Sequence, residues 1–279
     1  MLRPGRDRQP GVTRYRDPLE LCRFLPQDCV SRGVQLHRPS RAVAVRADVR
    51  GELSSVRVVD IETSTETDVP CTRIIITAGA WSRLVFRELF PNAAVDLPIS
   101  SLAGHSLVVQ SPRTTETENS ECHALFATDR SGFSPEIFSR LGGHVYIAGL
   151  NSASIPLPKL PGDQQISRAS ISQLADAAKA LVASNSGEED LEVVREGLCF
   201  RPVTPWGSPI VSRIADEYLG GLCTRPGADG GVFVAAGHGP WGISLSLGTA
   251  MVLAEMAQGR MLSADVGSLA FHEDHDGGA

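Results

Sequence analysis

Three glycines near the C-terminus form the pattern with the clearest chemical meaning. In "AAGHGPWGISLSLGTAMVLAEMAQG", Gly237, Gly239 and Gly242 spell G-x-G-x-x-G, the spacing of a dinucleotide phosphate loop. The apolar run "GVFVAA" precedes them, and a helix is predicted from Ile243 to Gly259. Backbone N–H groups and a helix N-terminus would then share one concave site, which suits an anionic or electron-rich ligand edge. A connecting turn without a ligand is the alternative.

The surrounding sequence argues against a dinucleotide-binding Rossmann loop. That fold requires another parallel strand after the helix and an acidic residue about 20 positions further on. Only "RMLSADVGSLAFHEDHDGGA" follows Gly259, and this stretch is polar and too short for a strand, a helix and a strand. Pro240 and the bulky Trp241 are also unsuited to a loop that approaches a pyrophosphate closely. An NAD-linked dehydrogenase is therefore rejected.

Histidines and cysteines offer few other candidates. His105 in "LAGHSLVV" is predicted to be a hydrogen-bonded sheet histidine, with a cofactor-facing position as the alternative. "HEDHD" at residues 272–276 is predicted to be a solvated tail rather than a metal cluster. No zinc spacing and no Ser-His-Asp order stands out, so no metal is expected. The six scattered cysteines show no CxxC spacing and are predicted to be buried thiols in a reducing compartment.

Composition narrows the class of protein. The 279 residues, of which 42% are hydrophobic, can form one large or two small domains with a sizeable core. The net charge of -6 argues against nucleic acid as a partner. No apolar run reaches the length of about 18 residues that a membrane span needs, and no signal-peptide pattern follows Met1. A cytoplasmic protein without a membrane partner is expected.

Apolar patterning predicts a mixed fold of helices and strands. "SRAVAVRAD", "LSSVRVVDIE" and "CTRIIITAGAW" are predicted to form a meander, with turns at "DVRGEL" and "TSTETD". Because Ile74, Ile75 and Ile76 are consecutive, their strand is expected to be covered on both faces. A second β-rich region runs from Val95 to Gly149. An amphipathic helix then follows, whose apolar stripe comprises Ile166, Ile171, Leu174, Ala178 and Leu181.

Four blocks between Pro18 and Gly259 resemble the FAD-dependent D-amino-acid oxidase and glycine oxidase superfamily. In chain order they are "GVQLHRPSRAVAVRAD", "IIITAGAWS", "LCFRPVTPWGSPIVSR" and "VAAGHGPWGISLSLGTA". The second resembles the family's A-x-G-A-W-S, the third its R-P-x-T-x-x-G-x-P, and the last its C-terminal A-x-G-H-x-x-x-G-I. One such block would be weak evidence, whereas four in the right order are strong.

The resemblance implies FAD as cofactor and assigns residues to it. The first block would lie against the adenine, and the last would wrap the N1–C2=O edge of the isoalloxazine. Through the resemblance, the implied cofactor-binding residues are Ala42, Ala78, Gly79, Trp81, His238, Gly239, Pro240, Trp241, Gly242, Ile243 and Ser244.

Two charged residues are implicated in substrate binding by the same resemblance. Arg201 matches the arginine that binds the substrate carboxylate, since a guanidinium can hold a carboxylate with two hydrogen bonds. A structural salt bridge is the alternative for Arg201. Glu136 in "SPEIF" falls near the position of a carboxylate-binding tyrosine. A carboxylate there would repel an amino acid, unless Glu136 is simply a solvated strand residue.

The resemblance also implies a domain organisation. A two-domain α/β flavoprotein fold of the D-amino-acid-oxidase type is expected. Its FAD-binding domain would comprise residues 18–82 and 197–262, and its substrate domain residues 83–196. Residues 1–17 are expected to be disordered or a relic, and residues 263–279 a tail. The family begins with a βαβ unit that carries the true G-x-G-x-x-G, and no counterpart precedes Gly33.

This departure leaves two functional hypotheses open. The first is an FAD-dependent oxidoreductase that transfers a hydride from a C–N bond of a small amine or amino acid to flavin N5. The second is a truncated, inactive fragment or a non-enzymatic binding module of the same fold.

Overall fold

The computed structural model describes residues 18–110, 124–128, 132–182 and 191–271. The helices of these ranges are α1 (Pro18–Ser31), α2 (Ser82–Leu89), α3 (Arg168–Val182) and α4 (Gly242–Ala257). The strands are β1 (Ser40–Ala47), β2 (Leu53–Asp60), β3 (Glu66–Pro70), β4 (Arg73–Ile76), β5 (Ser100–Gln110), β6 (Ala124–Phe126), β7 (Glu136–Ser139), β8 (His144–Ser152), β9 (Val193–Val203), β10 (Ile210–Ile214) and β11 (Gly231–Ala236). The predicted mixture of helices and sheets is confirmed.

The first sheet corrects the predicted meander. Its order is β1-β2-β3, and both pairings are antiparallel. The prediction of a turn across all of "TSTETD" was wrong, because β3 begins at Glu66. The turn is short because the Asp60 carboxylate accepts hydrogen bonds from the backbone N–H groups of Glu62 and Thr63, at 2.9 and 2.8 Å. The third predicted strand, β4, leaves the meander and joins another sheet.

The second sheet has the order β10-β11-β4, with β11 and β4 parallel. Ile74 and Ile76 are buried in the main core, whereas Ile75 is 46% exposed on the other face. The expectation that both faces of this strand are covered was therefore wrong. On the exposed face, the buried contacts of α4 are with β10 and β11. Within the described ranges, β11 is the only strand that pairs with β4.

The third sheet is antiparallel, with the order β6-β7-β8-β5-β9. One face carries α3, whose Ile171, Leu174 and Ala178 are buried against the sheet as the stripe predicted. Near the end of the stripe, Leu181 is 48% exposed. Residues of the opposite face are identified by pairing register and include Gly104, Ser106, Glu136, Ala148 and Arg201. We call this the helix-free face.

The cysteines are less buried than expected. Cys22, Cys29, Cys199 and Cys223 are exposed, and Cys71 is half-buried; all five are free thiols. The expectation of buried thiols was wrong because α1, which carries the first two, buries none of its residues. Cys122 lies outside the described residues. In the part of the chain that the structure describes, no helix is both long and apolar enough to cross a membrane.

Candidate functional site

Two loops meet at one edge of the β10-β11-β4 sheet. Because β4 and β11 are parallel, with Ile74 beside Val232 and Ile76 beside Val234, their carboxyl ends lie at the same edge. Residues 77–82 follow β4, and the glycine loop follows β11. Parallel pairing thus brings together two predicted cofactor-binding segments that are distant in sequence.

The glycine loop ends at the start of α4. Gly237 and Gly239 have φ values of +89° and +55°, a left-handed backbone that glycine adopts most easily. The 3-10 turn Gly239–Trp241 follows and leads directly into α4 at Gly242. The N-cap residue, Trp241, makes no side-chain hydrogen bond to the first turn of α4. Free backbone N–H groups and the positive end of a helix therefore face the region beside the loop.

The structure excludes a Rossmann role for this loop. After α4, the described chain runs to residue 271 and adds only a short 3-10 turn, Gly267–Leu269, and no strand. The neighbours of β11 are β10 and β4, both of which precede it in sequence. The prediction that G-x-G-x-x-G is not a dinucleotide phosphate loop is confirmed.

Side chains in the two loops mainly hold them in place. The indole N–H of Trp81 donates to the Pro158 carbonyl at 2.8 Å, and its ring meets Phe200 of β9 edge-on at 6.1 Å between centroids. The imidazole Nε2 of His238 lies 3.1 Å from the Thr249 hydroxyl of α4. Burial lowers the pKa of His238, which favours its neutral form. The Trp81 and His238 side chains are therefore engaged within the protein, whereas the N–H groups in the first turn of α4 have no helical partner.

The other predicted cofactor residues are placed differently. Trp241 and Ile243 are 64% and 62% exposed. Ala42 lies in β1, in the separate three-stranded sheet, and packs against the core that also contains Ile74 and Ile76. The structure therefore separates Ala42 from the two loops by that shared core.

Arg201 lies on a strand that reaches the glycine loop. Two residues later, Val203 forms an isolated antiparallel bridge with His238. The Nη1 atom of Arg201 donates to Oδ1 of Asn151 on β8. Among the described residues, no carboxylate lies within 4.0 Å of this guanidinium, so the alternative of a structural salt bridge finds no partner there.

Other sequence candidates take different positions. His105 is buried on the α3 side of the sheet, where its Nε2 accepts a hydrogen bond from the Ser167 backbone. Glu136 is half-buried on the helix-free face, in β7, three strands away from β9. "HEDHD" lies outside the described residues, and within the described ranges no three potential metal ligands cluster.

Sequence reasoning did not identify Asn151. It stands in "GLNSAS" near the end of β8, and no motif distinguishes it from an ordinary polar surface residue. Its relation to Arg201 depends on which face of the sheet it occupies.

Comparison with known proteins defines the class of this fold and site. A model of the family described as FAD dependent oxidoreductase matches residues 9–256. The chain therefore belongs to the FAD-dependent oxidoreductase family. Two yeast proteins with oxidoreductase in their names are similar: TDA3 of Saccharomyces cerevisiae (25% identity, 71% of this chain and 34% of that protein) and C1F5.03c of Schizosaccharomyces pombe (28% identity, 70% and 44%).

Solved structures show the same fold at low sequence identity. Glycine oxidase from Geobacillus kaustophilus superposes with a TM-score of 0.65 at 20% identity, over 91% of this chain and 57% of that one. Iminodiacetate oxidase from Chelativorans sp. BNC1 gives a TM-score of 0.62 at 15% identity, over 90% and 57%. The chain thus spans somewhat more than half the length of these enzymes, and less than half that of the two yeast proteins.

Proposed function

We propose that this chain forms part of an FAD-dependent oxidoreductase that oxidises a C–N bond of a small amine or amino acid. One observation carries the proposal: Arg201 projects from the strand that reaches the glycine loop, and no described carboxylate neutralises it. A guanidinium there would bind a substrate carboxylate and hold the rest of the molecule near the loop. Glycine and iminodiacetate, named in two of the similar structures, both combine an amine with a carboxylate.

The residues at the sheet edge fit the flavin end of FAD. The Trp241 N–H is held by the His238 carbonyl, but the N–H groups of the first turn of α4, such as those of Ile243 and Ser244, lie at the positive end of the helix, which suits the electron-rich N1–C2=O edge. Pro240 has no N–H and would shape the loop rather than donate. When bound, FAD supplies the two-electron acceptor for the oxidation. The residues of this chain would hold the edge of the ring, orient the substrate and restrict the access of water to the reacting atoms.

Glu136 restricts the substrate within this proposal. It shares the helix-free face with Arg201, and a negative charge there disfavours a carboxylate near β7. The substrate carboxylate would therefore lie at the β9 side of the face. A neutral or cationic end would face Glu136.

The proposed domain division follows the three sheets apart from one strand, although α2 and residues 90–99 of the substrate part share a core with β4, β10 and β11. Residues 18–82 and 197–262 would form the FAD-binding part and residues 83–196 the substrate part. The strand β9 runs across the boundary at residue 197, and pairs with β5 on both sides of it. We therefore propose that β9 is the physical link that carries Arg201 from the substrate sheet to the glycine loop.

A test of this proposal is turnover at saturating FAD. The purified chain would be mixed with a panel of amines and amino acids, and reduction of an electron-accepting dye would be followed. We expect FAD-dependent turnover of at least one amine that bears a carboxylate. Arg201→Met should raise the KM for that substrate at least tenfold, while a substrate without a carboxylate should be affected little. Absence of FAD-dependent turnover across the panel would favour the second candidate.

The second candidate is an inactive fragment or binding module, and one feature favours it. Residues 242–251 of α4 expose large apolar side chains, including Ile243 at 62%, Leu247 at 71% and Met251 at 54%. Beside it, Ile75 is exposed and the outer edge of β4 pairs with no described strand. An apolar surface of this kind is normally covered in a stable enzyme.

A further inference from the structure

Gly104 leaves room on the helix-free face for the Arg201 side chain. Gly104 lies in the middle strand, β5, between Cys199 of β9 and Asn151 of β8. A Cβ atom at Gly104 would lie 2.6 Å from Nη1 of Arg201 and 3.0 Å from Oδ1 of Asn151. Its φ is not in the left-handed region, so the backbone alone does not require glycine here. Glycine at this position leaves space above β5, and the Arg201 guanidinium occupies that space.

A one-residue irregularity turns Asn151 toward this space. The β5–β8 register shifts between His105 and Ser106, so that Ser106 faces Ala148 while Gly104 faces Asn151. Three residues of β5, 104–106, thus oppose four residues of β8, 148–151, as in a β-bulge, and the extra residue reverses the alternation of side chains. Gly149 adopts φ +122° within this stretch, and a Cβ there would lie 2.5 Å from the Ser134 carbonyl oxygen.

Asn151 accepts from one side of the guanidinium only. Its Oδ1 takes a hydrogen bond from Nη1, and among the described residues no other acceptor for Arg201 is found. The edge formed by Nε and Nη2 is therefore available for a two-point hydrogen bond with a carboxylate. Because the Asn151 side chain is neutral, it orients Arg201 without cancelling the positive charge.

We propose that Asn151 and Gly104 are positioning residues that hold the Arg201 guanidinium with its Nε–Nη2 edge presented to a substrate carboxylate. This inference rests on the proposed function, since it specifies how the same site selects carboxylates. Asn151 fixes the orientation of the Arg201 guanidinium, and the absence of a side chain at Gly104 lets the arginine side chain pass over β5. An aspartate in place of Asn151 would occupy and neutralise the guanidinium.

Benzoate and benzamide, which differ in charge but little in shape, would serve as probes. Their binding to the full chain is measured by calorimetry with wild type, Asn151→Leu, Asn151→Asp and Gly104→Ala. The matched control is Gly197→Ala on the same face, where a Cβ would lie 2.6 Å from the Ser106 hydroxyl instead of from Arg201. In parallel, nitrogen NMR of arginine-labelled protein follows rotation of the Arg201 guanidinium, with the signal assigned through Arg201→Lys.

We expect the wild-type chain to prefer benzoate over benzamide and to show restricted rotation of Arg201. Removing one hydrogen bond to a charged group costs roughly tenfold in affinity. The benzoate preference should therefore fall about tenfold in Asn151→Leu and Gly104→Ala, disappear in Asn151→Asp, and persist in Gly197→Ala. Rotation should become free in Asn151→Leu.

The two readouts separate this inference from the proposed function. Free rotation of Arg201 in the wild type, or an unchanged signal in Asn151→Leu, would overturn the positioning role whatever ligand binds. Restricted rotation that Asn151→Leu releases, without any benzoate preference in the wild type, would support positioning but overturn carboxylate binding by Arg201. Circular dichroism confirms that each variant is folded, and the exposed position of Asn151 makes unfolding unexpected.

Discussion

The Nε2 atom of His105 accepts a hydrogen bond from the backbone N–H of Ser167 at 3.1 Å. His105 lies in the middle of β5, and Ser167 directly precedes α3. The carbonyl of Ser167 in turn accepts from the N–H of Ile171, also at 3.1 Å. The histidine therefore joins the sheet to the start of the helix that covers it. Only a neutral imidazole, with its proton on Nδ1, can accept at Nε2.

Acidification is predicted to weaken this connection. Burial lowers the pKa of His105 below its usual 6.5, so the unfolded chain takes up a proton more readily than the folded chain. Stability from this group is fully present above the unfolded pKa and is lost as the pH falls through the folded pKa. Urea unfolding midpoints measured from pH 8 to pH 5 should decrease below about pH 6.5.

A substitution that cannot be protonated provides the control. His105→Gln keeps a hydrogen-bond acceptor and should flatten part of the decline below pH 6.5. His238, whose pKa burial also lowers, accounts for a further part, so the double variant with His238→Gln should be flatter still. An identical pH profile in wild type and His105→Gln would contradict the role given to this bond.

Two glycines near the site are predicted to respond in opposite directions to alanine. Gly237 has φ +89°, and a Cβ there would lie 2.6 Å from Cγ2 of Thr204. Gly237→Ala should therefore lower the free energy of unfolding by about 1–3 kcal/mol, through strain and a steric clash. Gly248 lies within α4 with open space around its Cβ position, so Gly248→Ala should raise the free energy of unfolding by about 0.5–1 kcal/mol.

Urea denaturation of both variants checks this pair. If Gly237→Ala were as stable as the wild type, the left-handed turn would not be a fixed part of the loop. The opposite signs of the two changes in free energy of unfolding are the more decisive result, because a general effect of alanine would have the same sign at both positions.

The exposed half of α4 is predicted to make the chain self-associate. Leu247 is 71% exposed and lies in a helix whose first half is apolar on its solvent side. Leu247→Glu should shift the chain toward monomer in light scattering at matched concentration, with little change in unfolding midpoint. As a control, Leu253→Glu places the same charge at a 5% exposed position of the same helix and should unfold the protein. Equal oligomer distributions for wild type and Leu247→Glu would contradict this prediction.

Local patterns explain how far the sequence predicts this fold. Apolar periodicity identified the helix of residues 168–182 and its buried stripe, because one helix face must meet the sheet. It also identified the strand before the glycine loop, all of whose residues are buried. The pairing of β4 with β11 could not be derived locally, since these strands are far apart in sequence. Ile75 was misjudged for the same reason, because its exposure depends on which strands lie beside it.

The candidate site shows the same limit at the level of single residues. Arg201 was identified because its neighbours form a recognisable block. Asn151 was not, because an irregularity of one residue at Gly149 decides which face its side chain occupies. A shift of one position would place it on the α3 side. Such a shift does not change the apolar pattern of the sequence. Only the register of the folded sheet therefore shows that Asn151 and Arg201 lie together.

The described chain alone is predicted to bind FAD weakly. The glycine loop and the segment after β4 suit the ring, and apart from these two the described residues offer no glycine-rich turn directly before a helix at which a pyrophosphate could bind. Each absent charge-assisted hydrogen bond costs about 1.5–3 kcal/mol, and about 1.4 kcal/mol corresponds to a tenfold change in affinity. Affinity several orders of magnitude below that of a complete site is therefore expected.

Titration with both FAD and riboflavin, followed by flavin fluorescence, tests this directly. If only the ring is held, the two ligands should bind with dissociation constants within about tenfold of one another, because the phosphates add little. Gly237→Ala, which distorts the loop, should weaken both equally. Submicromolar, stoichiometric binding of FAD together with much weaker binding of riboflavin would show that this chain does hold the pyrophosphate. The phosphate site would then have to be sought among its own residues.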